Sequence, residues 1–142
     1  SLRERVEHKY KLDNLVGGGV PHGQTPFEAL VREGYEEAGL PAELMHRAVP
    51  GRVIDLACDI AEGFMHEQLH GFDLRLPADV VPVNQDGEVA ELHCLPAEDA
   101  IGLATGDAMT VDASLVTLDF ALRHGLLAAD EQRRLARMMR YA

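Results

Sequence analysis

The chain has 142 residues, of which 13 are Lys or Arg and 24 are Asp or Glu, so its formal net charge is −11. A hydrophobic fraction of 46% excludes a disordered chain, and this length suits one domain with its own core, which we expect to occupy 1–142. The acidic balance argues against a nucleic-acid partner, since phosphate backbones are bound by clustered Lys and Arg, and no apolar run approaches the roughly 20 residues that cross a bilayer.

The start of the chain and its cysteines bear on where the protein works. Residues 1–10 are polar and are predicted as an edge strand. No signal peptide is visible, and the missing initiator methionine at Ser1 indicates a trimmed N-terminal flank. Cys58 and Cys94 have no metal-ligand spacing, so we expect reduced core thiols and a cytoplasmic setting.

A short helix is predicted directly after a glycine-rich turn. Thr25, Pro26 and Glu28 have the spacing of a capping box, with threonine as N-cap, proline at the first helical position and glutamate at N3. Gly39 suits the left-handed residue that follows a helix, and Pro41 prevents continuation. The helix is therefore expected to begin at Pro26 and to end just before Gly39.

The predicted helix has two faces of opposite character. Glu33, Glu36 and Glu37 are spaced at i, i+3 and i+4, so they fall on one side. At about 6 Å and an effective dielectric of about 20, each like-charged pair costs on the order of 3 kcal/mol, which favours a bound dication and a phosphorylated substrate. A solvated acidic face is the alternative. The other side is apolar and is expected to pack on a sheet: Phe27, Leu30, Val31, Gly34 and Ala38.

The rest of the chain alternates between strand and helix patterns without an internal repeat. Asp112 is expected to be the N-cap of a later helix, and several arginines near the end of the last helix would interact favourably with its dipole. The predicted elements are a helical turn at 42–47, strands at 52–61 and 64–76, a loop at 77–87, a strand at 88–95, and helices at 96–104, 112–123 and from 130 onward.

The glycine turn and the helix together resemble the Nudix box, whose pattern is G-x5-E-x7-R-E-U-x-E-E-x-G-U, with U a bulky aliphatic residue. Gln24 departs from this pattern, because it replaces a glutamate that in the family helps to position the arginine. The glutamine keeps the size of the glutamate side chain but lacks its charge. Gly34 replaces the first aliphatic residue, weakens the helix by about 1 kcal/mol relative to alanine and leaves space where an apolar side chain would pack. The matching positions are Gly18, Arg32-Glu33, Glu36-Glu37 and Gly39-Leu40.

Further segments resemble the thiamine-diphosphate-related branch of the Nudix superfamily, which is similar to the Nudix portion beside thiamine pyrophosphokinase in some fusions. That branch commonly replaces the early box glutamate, in keeping with Gln24. The resemblance implies an α/β/α sandwich with a mixed β-sheet between helices. It also implies hydrolysis of thiamine diphosphate, or of its oxo and oxy analogues, to the monophosphate with Mg²⁺ or Mn²⁺. The matching segments are 12–15, 17–23, 84–89, 114–116 and 123–125.

The resemblance also implies a task for each residue of the site. Arg32 is expected to orient the carboxylates by bidentate hydrogen bonds. Glu33 and Glu88 are both candidates for the general base that takes a proton from the attacking water. The expected metal ligands are the backbone carbonyl of Gly17 and the carboxylates of Glu33, Glu36 and Glu37. Candidate substrate contacts are Gly18, His22 and Gln24, although His22 also fits a loop-surface histidine without a partner.

Three other functions stay open from the sequence. One is a Nudix hydrolase for nucleoside diphosphate derivatives or nucleoside triphosphates. The second is an isomerase similar to isopentenyl-diphosphate isomerase, which needs a cysteine and a glutamate facing each other across the pocket. The third is a non-catalytic Nudix module that binds a small-molecule diphosphate. Dimerisation is common in the superfamily, so a homodimer is one assembly that the resemblance implies.

Overall fold

The computed structural model describes Val16 and residues 19–60, 63–83 and 94–142. Helices and one pair of strands account for most of these residues. In chain order the elements are α1 (Pro26–Ala38), α2 (Ala42–Met45), β1 (Val49–Ile60), β2 (Gly63–Asp73), α3 (Ala97–Ala104), α4 (Val111–Arg123) and α5 (Ala129–Met138).

Most predicted elements are present, with ends shifted by a few residues. The strands predicted at 52–61 and 64–76 correspond to β1 and β2. The predicted N-cap Asp112 is wrong, because it lies within the first turn of α4. Thr110 has the extended backbone of an N-cap, and its hydroxyl accepts from the N–H of Ala113 at 3.3 Å. The strands predicted at 1–10 and 88–95 lie outside the described residues, apart from 94 and 95, which are not in a strand.

The strands β1 and β2 pair with each other as a two-stranded sheet. Only residues 61 and 62 separate them, and so short a connection permits only antiparallel pairing. By contacts the chain divides into two compact units. The hairpin unit contains Pro50–Gly71 and Leu95–Ala142, and the α1 unit contains, among the residues described, Val16, 19–49, 72–83 and Cys94. None of the helices in the described ranges has the length and apolar character of a bilayer-spanning segment.

Helix α1 is fixed at both ends as its sequence predicts. The hydroxyl of Thr25 accepts from the N–H of Glu28 at 3.1 Å, and the carboxylate of Glu28 accepts from the N–H of Thr25 at 3.3 Å. At the other end Gly39 has φ 67°, a left-handed conformation that glycine adopts without steric cost. Local chemistry alone therefore sets the length of the helix that carries the acidic residues.

The core of the α1 unit lies around the end of α1. Leu30 and Val31, from the apolar side of α1, pack against it together with Leu74 and Leu76. At the start of the same side the ring of Phe27 lies 5.9 Å from that of Phe72 on β2, so this face contacts strand residues as predicted. Burying each larger aliphatic side chain stabilises the unit by about 1.5–3 kcal/mol. The buried residues of this core are Ala38, Leu40, Leu44 and Met45.

The C-terminal residues of the chain pair with β1 in the hairpin unit. Tyr141 forms an antiparallel bridge with Ile54. The N–H of Asp55 donates to the carbonyl of Arg140 at 2.7 Å, and the N–H of Ala142 donates to the carbonyl of Val53 at 2.9 Å. We call residues 140–142 the C-terminal tail. It adds backbone pairing to β1 that no pattern in the sequence had indicated.

A buried carboxylate on α4 binds the C-terminal tail. Asp119 accepts from Arg123 Nε and from the hydroxyl of Tyr141, both at 2.8 Å, and its side chain is 2% exposed. The guanidinium of Arg52 lies 3.5 Å above the Tyr141 ring. Burial and the bond to Asp119 raise the pKa of Tyr141 to about 12, so the phenol stays protonated and donating well above neutral pH. These contacts join α4, β1 and the tail.

Candidate functional site

Arg32 lies between two of the glutamates on α1. Its Nη2 is 3.6 Å from Oε1 of Glu33, and its Nη1 is 3.7 Å from Oε2 of Glu36. Both contacts are ion pairs that are longer than the roughly 2.7–2.9 Å of a strong charge-assisted hydrogen bond. The guanidinium therefore offsets part of the repulsion within the acidic cluster and bridges the two carboxylates that it was expected to orient.

The three glutamates differ in their surroundings. The Glu33 side chain is only 14% exposed, whereas that of Glu36 is 56% exposed. Burial raises the pKa of the Glu33 carboxyl above its usual value, Arg32 opposes this shift, and the charge of Glu36 adds to it. Glu37 is half-buried and takes part in an interaction within the protein. A cation bound near Glu33 would favour its charged form and offset the effect of burial.

The acidic cluster has the donor chemistry of a site for a hard dication, since Mg²⁺ and Mn²⁺ prefer carboxylate oxygens. Within the described ranges, no three His, Cys, Asp or Glu side chains are arranged to hold a metal ion. Three expected site residues, Gly17, Gly18 and Glu88, lie outside those ranges. The carboxylates therefore fit Mg²⁺ or Mn²⁺ by their chemistry, and the complete ligand set stays a prediction.

Gln24 and Arg32 each contain a buried polar atom without a hydrogen bond. The atoms are Oε1 of Gln24, an acceptor, and Nε of Arg32, a donor, and neither has a partner in the described part of the chain. A buried polar group left without a partner costs about 1–3 kcal/mol. The glutamine therefore makes no hydrogen bond to Arg32, the arginine that the glutamate of the family helps to position, although the two atoms are complementary.

The loop before α1 is a tight turn that exposes a histidine. The N–H of Gln24 donates to the carbonyl of Pro21 at 3.1 Å, and Gly23 has φ 87°. A positive φ at the third position of a four-residue turn is typical of type II, which explains the glycine. His22, between them, is exposed. The turn thus presents His22 to solvent, and its contact with a substrate stays a prediction.

Gly34, the second departure from the box, has a clear structural reason. A Cβ at this position would lie 2.6 Å from both Sδ and Cε of Met45, and 2.9 Å from its Cγ. Met45 is 2% exposed, so its side chain fills the space that the missing aliphatic residue would occupy. The expected empty space is therefore absent, because α2 supplies the packing atoms from the residues that follow α1.

Replacing Gly34 by alanine is expected to lower the free energy of unfolding by about 1 kcal/mol. Alanine favours the helix by about 1 kcal/mol relative to glycine. Forcing the side chain of Met45 to move within a packed core, however, costs about 1–3 kcal/mol. Gly102→Ala on α3 is the matched control, since a Cβ there meets no atom within 4 Å. Urea denaturation should show opposite signs for the two variants, and equal stabilisation by both would contradict the packing of Met45 on Gly34.

The structure also places the side chains of Cys94 and His66. Cys94 is a free thiol, as expected, but it is exposed and therefore not part of the core. Residue 94 itself is not in a strand, although the strand predicted at 88–95 includes it. His66, on β2, has Nε2 3.1 Å from Oδ1 of Asp55 on β1. This pair lines a cavity of about 500 Å³ in the hairpin unit, and no spacing along the chain had indicated that the two residues meet.

A second group of residues was missed by the sequence predictions. Arg47 and Arg75 line a groove of about 540 Å³ in the α1 unit, together with Leu76, Pro77 and Ala78. One signal was available, because the alternation around Leu74 and Leu76 places Arg75 on the polar side. Arg47 lies 28 positions earlier in the numbering, and no motif joins the two arginines.

Comparisons with known proteins identify relatives of the chain. The NUDIX domain family model matches residues 2–116. Nudix hydrolase 24, chloroplastic, from Arabidopsis thaliana is 41% identical over 118 residues, which cover 82% of this chain and 32% of the relative. Nudix hydrolase 20, chloroplastic, from the same plant is 40% identical over 122 residues, covering 82% and 31%. An uncharacterised protein from Saccharomyces cerevisiae is 26% identical over 133 residues, covering 85% and 39%. The chain thus spans about a third of the length of these curated relatives.

Proposed function

Because the chain belongs to the Nudix family, we propose that it hydrolyses a diphosphate linkage in a small-molecule substrate with the help of a divalent cation. One observation carries this proposal. Arg32 joins Glu33 and Glu36 at 3.6 and 3.7 Å on a helix that is capped at both ends. A structural salt bridge needs one glutamate, whereas here two carboxylates share the single guanidinium of Arg32.

The side chains have separate tasks in this proposal. Mg²⁺ or Mn²⁺, when bound, supplies positive charge against the negative charge that develops on the attacked phosphorus and the departing phosphate. Arg32 keeps Glu33 and Glu36 together. Glu33 is the proposed general base, the task that the family resemblance implies for it, and would take a proton from the attacking water. Glu88 is the alternative base. The proposed metal ligands are the carbonyl of Gly17 and the carboxylates of Glu33, Glu36 and Glu37.

For the substrate, we propose thiamine diphosphate or its oxo and oxy analogues, cleaved to the monophosphate. Support comes from the segments that resemble the thiamine-diphosphate-related branch, and from Gln24, whose position is commonly altered in that branch. The substrate-side candidates in and after the glycine turn are Gly18, His22 and Gln24. Nucleoside diphosphate derivatives and nucleoside triphosphates are the competing substrates.

A substrate panel with product identification tests the proposed function. Thiamine diphosphate, its oxidised analogues, nucleotide sugars and nucleoside triphosphates are incubated with the protein, with Mg²⁺ or with EDTA. We expect formation of the thiamine monophosphate compound and inorganic phosphate with Mg²⁺, and a loss of turnover with EDTA. Phosphate detection with malachite green, before and after a coupled phosphatase, distinguishes the products.

Each other result of the panel contradicts a defined part of the proposal. Turnover of nucleotides alone would overturn the thiamine substrate and leave the hydrolase. The isomerase would be favoured if a diphosphate is rearranged without release of phosphate and if Cys58→Ala or Cys94→Ala abolishes that reaction. Binding of a diphosphate without turnover at any Mg²⁺ concentration would favour the non-catalytic module.

Two further parts of the proposal concern assembly and setting. We propose a homodimer, because dimerisation is common in the superfamily, and the molar mass in solution by light scattering would test it.

We also propose a cytoplasmic setting, based on the two cysteines without a disulfide pattern. The names of the two Arabidopsis relatives describe them as chloroplastic, which is a statement about those proteins.

A further inference from the structure

The groove of the α1 unit combines positive charge with an apolar surface. Its volume of about 540 Å³ lies within the range of small-molecule sites, roughly 300–1,000 Å³. Arg47 follows α2, and Arg75 follows β2, so the two guanidinium groups come from separate parts of the chain. Leu76, Pro77 and Ala78 supply the apolar part of the lining. Such a lining suits a ligand with an anionic group attached to an apolar or aromatic body.

The two arginines of the groove are notable because acidic residues outnumber basic ones by 24 to 13. Other arginines do find carboxylates: Arg32 pairs with two glutamates on α1, and Arg123 pairs with Asp119 on α4. Arg47 and Arg75 have no ion pair with any residue in the described ranges. Asp79 comes directly after Ala78 but does not line the groove. The groove therefore keeps two cations available for an external anion.

We infer that the Arg47–Arg75 groove binds the phosphoryl group of a small organic phosphate. Guanidinium groups bind phosphate through two parallel N–H donors, and two of them complement a dianionic phosphomonoester. The body of the ligand then lies against Leu76 and Pro77. Because the chain as a whole carries a charge of −11, a free anion is repelled at long range, and local contacts of this kind must supply the attraction.

This inference goes beyond the proposed hydrolysis and does not depend on it. The groove contains none of the glutamates of α1, and its cations bind phosphate without a metal ion. The phosphoryl group has two sources with the same chemistry. It belongs either to the substrate that is hydrolysed or to a separate phosphorylated ligand, and the experiment below separates the two.

Phosphate binding in a metal-free buffer with EDTA tests the inference. Phenyl phosphate and inorganic phosphate are titrated by calorimetry and by NMR of the arginine Nε–Hε signals. Phenyl phosphate is expected to bind more tightly, because its ring adds contact with Leu76 and Pro77, and to shift the signals of Arg47 and Arg75. The variant Arg47→Gln/Arg75→Gln is expected to bind at least ~10-fold more weakly, since it loses charge-assisted hydrogen bonds.

Arg134→Gln/Arg137→Gln is the matched control. It removes the same charge from two exposed arginines of α5 that line neither cavity, and it should change binding by less than about 2-fold. The source of the phosphoryl group is then read from the kinetics of Arg47→Gln/Arg75→Gln on a substrate that the protein hydrolyses. A higher KM at unchanged kcat assigns the phosphoryl group to that substrate. An unchanged KM assigns it to a separate ligand. No saturable binding of phenyl phosphate, or equal weakening in both double variants, would overturn the inference.

Discussion

Replacing Asp119 by alanine is expected to lower the free energy of unfolding by about 3–5 kcal/mol. The carboxylate is 2% exposed and accepts from both Arg123 Nε and the hydroxyl of Tyr141 at 2.8 Å. Its removal takes one hydrogen-bond acceptor from the half-buried guanidinium of Arg123 and one from the phenol of Tyr141. Urea denaturation followed by circular dichroism measures the change.

Asp130→Ala is the matched control for this prediction. It also removes an aspartate that pairs with an arginine on the same helix, Arg133. Because the Asp130 side chain is 88% exposed, the expected cost is at most about 1 kcal/mol. A similar loss of stability in Asp119→Ala and Asp130→Ala would mean that the buried carboxylate does not have the structural role assigned to it.

Tyr141→Phe is a milder variant that stays informative if Asp119→Ala does not fold. It removes one hydrogen bond and is expected to cost about 1 kcal/mol. Amide hydrogen exchange at Asp55 and Ala142 should become faster, because these N–H groups bond between β1 and the C-terminal tail. Exchange within α1 should not change. Unaltered protection at both amides would show that the phenol does not hold the tail.

Replacing Glu37 by glutamine is expected to lower turnover by at least ~100-fold while leaving the fold intact, a loss of about 2.7 kcal/mol of transition-state stabilisation. Glutamine keeps the size of the side chain but loses the charge that a dication requires. The measurement is kcat on the substrate identified by the panel, together with Mn²⁺ affinity by electron paramagnetic resonance. Both should fall in Glu37→Gln.

Glu43→Gln is the control for charge in the same unit. Glu43 is exposed on α2, so this variant changes the net charge equally and should keep wild-type turnover. Unfolding curves show whether either variant has lost stability. Near wild-type turnover in Glu37→Gln would remove this glutamate from the site. Manganese-soaked crystals without an anomalous peak beside α1, even with substrate supplied, would count against the metal assignment as a whole.

The sequence was sufficient to predict the helix that carries the candidate site. Its N-cap, its first proline and its terminating glycine act within one turn of the backbone, so their effects depend little on the rest of the fold. The spacing of Glu33, Glu36 and Glu37 follows from the helical period alone. The α/β Nudix fold that the box implied is confirmed. The tasks of Gly17, Gly18 and Glu88 stay predictions.

The sequence was not sufficient where a contact joins distant residues. The space beside Gly34 was expected to be empty, yet Met45 occupies it, because the turn into α2 returns the chain to the same side of α1. Asp119 and Tyr141 are 22 residues apart, and no periodic pattern links a carboxylate on α4 to the C-terminal tail. Cys94 was expected in the core and is exposed.

The amino-acid sequence by itself thus determined the acidic helix and its ends, because capping and helical spacing are local properties of the backbone. It also indicated the family of the chain through the Nudix box. Only the tertiary structure decided that Glu33 is shielded from solvent while Glu36 is exposed, since burial depends on what packs beside each carboxylate. It also decided that Arg47 and Arg75 line one groove, because the path of the chain between α2 and the end of β2 brings the two guanidinium groups there.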